Sequence, residues 1–141
     1  MREFLLFAHV TGAIVLLGPA TLATSRFARH ASDGALAEAV AAHRTSRSYG
    51  TASIVVPAIG FALAARIDAF GELWVQAALG LFVVGALLLA LVHLPAQRTA
   101  IGGLRAGEAV DTRIVARLRS SAGLYALSWV AVVWLMIDKP A

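Results

Sequence analysis

The sequence predicts an all-α fold, an integral membrane four-helix bundle, and three observations carry this prediction. The chain contains four long apolar segments, at about residues 4–24, 48–66, 74–95 and 120–137. Its composition is 60% hydrophobic and 14% charged, whereas soluble domains are about 45–50% apolar and 25% charged. The segments between the apolar runs are rich in arginine, as is typical of loops at a membrane surface. We expect one domain, residues 1–141.

The first apolar segment sets a requirement for the rest of the bundle. Residues 4–23 contain no Asp, Glu, Lys or Arg, and at about 1.5 Å per residue they reach across the roughly 30 Å hydrocarbon core of a bilayer. The segment nevertheless contains His9, and an ionisable side chain in a span normally faces protein or water. We therefore expect His9 to face the bundle interior. The apolar run is longer than that of a cleaved signal peptide, about 7–15 residues, which favours a retained helix.

The other segments have recognisable beginnings and breaks. The second run is short for a crossing, so its helix is expected to begin near Ser32 or Asp33 as a cap. Glycines 102, 103 and 107 indicate a break after the third run. Pro19 and Pro57 each lack a backbone donor and are expected to bend their helices.

The distribution of positive charge predicts the orientation. Nine of the twelve Lys and Arg residues lie in the first and third connections, and three lie on the other side. By the positive-inside rule, both basic connections are cytoplasmic and both termini are outside. We expect a multi-pass protein of the bacterial inner membrane.

Small and polar residues mark the helix-packing faces, because small side chains let helix backbones approach closely in lipid. The predicted packing residues are Gly12, Ser53, Pro57, Gly60 and Ser128. Such faces can join the helices of one chain or of several, so we also expect a homo-oligomer or a place in a larger membrane complex.

The four histidines allow more than one interpretation. His9 could ligate haem b or another metal through a neutral ring nitrogen, or could simply hydrogen-bond to Gln76 or Trp134. A bis-histidine haem would need His9 of a second subunit across a two-fold axis. The other three histidines are predicted on the cytoplasmic side and could gather around a metal ion. They are His30, His43 and His93.

The basic residues point to lipid rather than nucleic acid. The eleven arginines and one lysine flank apolar spans instead of lining an aromatic groove, which favours anionic lipid headgroups as the partner. Arg113 and Arg117 lie four residues apart on one helical face and form the best candidate pair for a headgroup phosphate. All eight carboxylates lie in connections or at segment ends, so no intramembrane acid pair predicts catalysis.

Several motifs carry a family resemblance: AHVTGAIVLLGPA in the first segment, SRFARH after it, VVPAIGFALAA in the second and LMIDKP at the end. With these, the chain resembles the uncharacterised bacterial DUF2269-type family of predicted four-helix integral membrane proteins. The His-x-x-Gly start and SRFARH are also similar, more distantly, to the first helix of HemJ-type protoporphyrinogen oxidases and of copper-resistance D-type membrane domains. The oxidase resemblance implies that His9 is the counterpart of a haem-site histidine.

These expectations define three hypotheses about function. The first is a structural, assembly or accessory role in the membrane. The second is a b-type haem-binding protein that uses His9. The third is a small transporter or channel formed by oligomers.

Overall fold

The computed structural model describes residues 1–138 and contains four helices that are long and apolar enough to cross a membrane. In chain order they are α1 (Arg2–Ser32), α2 (Leu36–Arg66), α3 (Leu73–Arg105) and α4 (Thr112–Asp138). The all-helical prediction is therefore confirmed. Each helix contains its predicted span and continues beyond it, so much of both basic connections is helical. The predicted end of the domain, residues 139–141, lies outside the described residues.

Helices α1 and α3 each contain one π-helical turn that ends two residues before a proline. The turn at Ala13–Leu17 precedes Pro19, and the turn at Leu88–His93 precedes Pro95. Proline has no N–H to offer to the preceding turn, and a π turn shifts the pairing by one residue. This shift explains how both helices continue through their prolines.

Helix α2 begins later than the sequence predicts. Ser32 is the last residue of α1, and its hydroxyl donates to the carbonyl of Ala28 at 2.9 Å. Gly34 turns the chain with φ 70°, and α2 starts after Ala35, which offers no capping side chain. The predicted cap at Ser32 or Asp33 is wrong, because both residues are taken up by the end of α1.

Pro57 interrupts the hydrogen bonding of α2. The residue one turn before it is Ser53, whose carbonyl cannot receive a bond from a proline nitrogen. The N–H of Val56 donates to that carbonyl instead, at 3.0 Å. A turn at residues 53 and 54 therefore separates the helical segments Leu36–Ala52 and Val55–Arg66.

The break after the third span occurs at one of the three predicted glycines. Gly102 and Gly103 lie inside α3, whereas Gly107 has φ 75° and reverses the chain. Helix α4 then starts before its apolar run, where the Asp111 carboxylate accepts the backbone N–H of Arg113 at 2.7 Å. The predicted break at Gly102 and Gly103 is wrong, because the packing of their helix outweighs the low helical propensity of glycine.

All four helices meet in the part of the bundle near the two basic connections, which we call the closed half (residues 20–50 and 89–122). Its core consists mostly of alanines, with Phe27 and Leu118 fully buried among them. Small side chains allow close approach of helices where no hydrophobic force drives association within lipid. The closed half is therefore tightly packed.

The other part of the bundle, toward the termini and the 67–72 connection, we call the open half. Here α1 packs against α2 and α3 packs against α4, but the two pairs barely touch each other across α2 and α3. Bulky side chains such as Phe61 and Phe82 face the space between the pairs. The result is a cleft between the two helix pairs of the open half.

Candidate functional site

The cleft of the open half has a volume of about 620 Å³ and receives residues from all four helices. Its lining includes His9 on α1, Pro57 on α2, Trp74 and Phe82 on α3, and Trp129 and Met136 on α4. This volume is within the roughly 300–1,000 Å³ of small-molecule and cofactor sites. Among the described residues, His9 is the ionisable side chain of the lining. The cleft can therefore hold an apolar ligand of substantial size beside one imidazole.

His9 is 7% exposed and tied to the backbone of α2. Its Nδ1 lies 2.9 Å from the carbonyl oxygen of Val56. A carbonyl only accepts, so Nδ1 donates and the neutral ring carries its free lone pair on Nε2. The expectation that His9 faces the bundle interior agrees with this burial. The alternative partners Gln76 and Trp134 are wrong, since Gln76 donates to Phe70 and Trp134 is 66% exposed.

Two of the predicted packing glycines, Gly60 and Gly12, lie where α1 and α2 meet, and Gly60 makes room for the histidine. A Cβ built on Gly60 would lie 2.9 Å from Cε1 and 3.3 Å from Nδ1 of His9, closer than real contacts allow. A Cβ on Gly12 would lie 3.7 Å from a methyl of Val56. Gly60 therefore lets the imidazole reach the Val56 carbonyl, whereas the space beside Gly12 would accept a methyl group.

The predicted packing serines also lie at contacts within the chain. Ser53 is 3% exposed and donates to the carbonyl of Gly50 at 2.7 Å. Ser128 is buried and donates to Tyr125, and a Cβ on Gly85 would lie 2.7 Å from its hydroxyl. Pro57 is half-buried and lines the cleft.

A buried aromatic pair lies next to the cleft. The Tyr125 and Trp129 rings meet edge to face, with centroids 5.6 Å apart, and Phe82 packs on Trp129 at 5.3 Å. The Tyr125 hydroxyl and the Trp129 indole nitrogen are buried and make no well-formed hydrogen bond within residues 1–138. Trp129 belongs to the lining of the cleft, whereas Tyr125 is fully buried and does not line it.

A second polar cluster, which sequence reasoning missed, lies in the closed half. Ser46 donates to the carbonyl of Ala42 at 2.8 Å and accepts from the amide nitrogen of Gln97 at 3.3 Å. The amide oxygen of Gln97 then accepts from Nδ1 of His43 at 2.7 Å. Ser46 and Gln97 are fully buried. This chain of bonds joins α2 to α3.

His93 extends the polar cluster toward α4. It is fully buried, and its Nδ1 lies 2.7 Å from the hydroxyl of Ser121, which itself donates to Leu118. His93 must therefore donate from Nδ1, and its Nε2 is buried with no partner among the described residues. His93 and Gln97 are four residues apart and therefore lie on one face of α3. This spacing is the feature of the sequence that could have indicated the cluster.

The three histidines proposed as a metal site do not form one. His43 and His93 are engaged with Gln97 and Ser121, and His30 lies half-buried on the last turn of α1. Within residues 1–138, no group of three or more His, Asp or Glu side chains could hold a metal ion. The three side chains do not converge, because His43 and His93 bond to residues of other helices and His30 lies at the end of α1.

Arg113 and Arg117 are exposed on the first two turns of α4, one turn apart on the same face. Arg117 borders a separate groove against α3, away from His9. The basic pair and the cleft are therefore two different surfaces of the molecule.

The fold and the cleft define a polytopic α-helical membrane protein. More particularly, residues 3–140 match the family described as "predicted integral membrane protein (DUF2269)", and the chain belongs to this family. No curated protein and no solved structure shows a significant match. A function must therefore be argued from the residues of the chain itself.

Proposed function

We propose that the protein is a small accessory protein of the bacterial inner membrane that binds haem b in the cleft, where His9 would ligate the iron. The observation that carries the proposal is the state of His9. Its Nδ1 is fixed on the Val56 carbonyl, and its Nε2 lone pair is left free at a cleft of about 620 Å³. Metal-ligating histidines typically donate their other ring nitrogen to a carbonyl or carboxylate in this way.

The other residues of the cleft fit a porphyrin. Apolar and aromatic side chains such as Leu79, Phe82 and Val133 suit its hydrocarbon faces. The chain contains no cysteine, so a haem would be held without thioether bonds, as a b-type group.

The chain's own residues would orient the group and shield it from water. The Val56 carbonyl fixes the plane of the His9 ring, while Gly60 leaves space for the ring. When bound, haem supplies one-electron redox chemistry or serves as cargo. The cleft offers a single imidazole without an acid partner, which supports a carrier or assembly role over catalysis.

The test is the visible spectrum of the protein purified in detergent from cells given a haem precursor. The wild type is expected to show a Soret band and, after reduction, a sharp α band. Replacing His9→Gly should abolish these bands, and added imidazole should restore them by occupying the vacated space. His30→Gly, which removes a histidine far from the cleft lining, is the matched control and should leave the spectrum unchanged.

Two results would overturn the proposal. One is a wild-type protein with no Soret band even after titration with hemin. The other is a His9→Gly variant whose spectrum equals that of the wild type. The same spectra report coordination, because a bis-histidine haem shared by two copies would be low-spin and would contain one haem per two chains.

Self-association is a separate part of the proposed role, and the apolar outer faces of the bundle support it. The small-residue contacts at Gly12, Gly60 and Ser128 lie between helices of one chain. A complex would therefore use the outward apolar faces, such as Phe7 and Val130, which are 68% and 65% exposed. Cross-linking in lipid nanodiscs tests this, and only monomers at all densities would contradict it.

A further inference from the structure

A second groove runs along the outside of the closed half, between α3 and the first turns of α4. It measures about 590 Å³, and its lining includes Leu91, Val92, Pro95, Thr99, Ile114 and Arg117. The groove shares no lining residue with the His9 cleft.

The groove is apolar at one end and basic at the other. Leu91 and Val92 form the apolar end, and Leu91 is 68% exposed. Thr99 lies eight residues further along α3, about 12 Å away, on the side facing the basic connection. Arg117 approaches from α4. This order, from hydrocarbon to cation, matches the order of groups along a phospholipid from acyl chain to phosphate.

The charge at the basic end is not neutralised by the chain. Within residues 1–138, Arg29 and Asp33 form an ion pair, but neither Arg113 nor Arg117 is paired with a carboxylate. The nearest acid in sequence, Asp111, accepts the backbone N–H of Arg113. Two exposed guanidinium groups one turn apart therefore remain available for an anion.

We propose that this groove binds an anionic phospholipid, with its phosphate on Arg117 and an acyl chain along Leu91 and Val92. Arg113 lies one turn before Arg117, outside the groove lining, and would add a second cation at the basic end. Guanidinium groups bind phosphate oxygens through two parallel hydrogen bonds, which a lysine cannot do. Free phosphate would use the cations but leave the apolar wall without a partner, whereas a phospholipid satisfies both ends. The occupant is therefore a lipid of the leaflet that meets the basic connections.

The experiment is native mass spectrometry of the detergent-solubilised protein titrated with phosphatidylglycerol, phosphatidylcholine or inorganic phosphate. Phosphatidylglycerol is expected to bind tightest. Arg117→Gln should weaken its binding about fivefold, the factor expected for one basic residue at an anionic lipid surface. Arg119→Gln removes an exposed arginine of the same helix that is outside the groove lining and should change little.

A third variant distinguishes binding in the groove from general attraction to positive charge. Thr99→Phe fills the space without altering charge and should also weaken phosphatidylglycerol binding, while the thermal midpoint shows whether each variant is folded. Equal losses in Arg117→Gln and Arg119→Gln would mean general electrostatic attraction and overturn the proposal. Binding unaffected by Thr99→Phe, or matched by inorganic phosphate, would overturn it as well.

Discussion

Gly60→Ala is the sharpest test of the His9 site, because it adds one methyl group where the structure has no room. The new Cβ would lie 2.9 Å from Cε1 of His9 and 3.3 Å from Nδ1. Either the ring moves and loses its bond to the Val56 carbonyl, or α1 and α2 move apart. Both responses disturb the position of Nε2 in the cleft.

The magnitude follows from two costs and one gain in the free energy of folding. Overpacking in a closely fitted interior costs about 1–3 kcal/mol, and a buried polar group left without its partner costs about 1–3 kcal/mol. Replacing glycine by alanine inside a helix gains up to about 1 kcal/mol. We expect a net loss of stability of about 1–3 kcal/mol, because moving the ring relieves part of the clash.

Gly80→Ala is the matched control, since it makes the same change in the middle of a cleft-forming helix where nothing lies within 4 Å. It should be neutral or slightly stabilising. The measurement is the thermal midpoint in detergent, where 1 kcal/mol corresponds to about 2–4 °C for a chain of this size. Hemin titration of both variants then reports the effect on the ligand.

A Gly60→Ala variant that melts at or above the temperature of Gly80→Ala, and that binds hemin as the wild type does, would refute this prediction. That result would mean that the imidazole is free to turn away from α2, and the Val56 bond could not be what orients it. A lower midpoint with unchanged hemin affinity would separate the two consequences. It would confirm the packing and contradict the role of ring orientation.

Two further predictions concern the closed half and the orientation. Ser121→Ala leaves the Nδ1 proton of buried His93 without an acceptor and should cost about 1–3 kcal/mol. Ser120→Ala, which removes an exposed hydroxyl one residue away, should change little in the same detergent melt, and equal losses would contradict the role of the His93 bond. Because the chain has no native cysteine, Gly71→Cys and Glu108→Cys each give a single labelling site. An impermeant maleimide added to spheroplasts should label residue 71 and not 108, and the reverse pattern would refute the predicted orientation.

The membrane-spanning helices could be predicted because each one is marked by the order of residues along the chain alone. Long apolar runs and arginine-rich connections follow from the thickness and charge of a membrane, and each predicted span lies within an observed helix. The ends were less predictable. Gly102 and Gly103 continue as helix, and Ser32 ends a helix instead of starting one, because tertiary packing outweighs propensity.

The site was predictable in part for the same reason. A lone histidine in an apolar span has few favourable places to face, so the burial of His9 could be anticipated. The hydrogen-bond partner of His9 could not be anticipated, because it is the backbone oxygen of Val56. Every residue has such an oxygen, so the sequence does not mark it. The cluster of His43, Gln97 and Ser121 was missed because its members come from three helices whose rotation the sequence does not specify.

The contrast between the two halves decides which histidine can serve a ligand. His93 has an unpaired Nε2, but it is fully buried near alanines that hold the closed half together, so a large ligand would have to separate the packed helices to reach it. His9 borders a space where the helix pairs barely touch, and a ligand there adds contacts that the chain alone lacks. Such a ligand stabilises the fold by about 2.7 kcal/mol at a concentration one hundred times its Kd. Binding in the cleft therefore adds contacts where the two helix pairs barely touch, whereas binding at His93 would separate helices that are already packed.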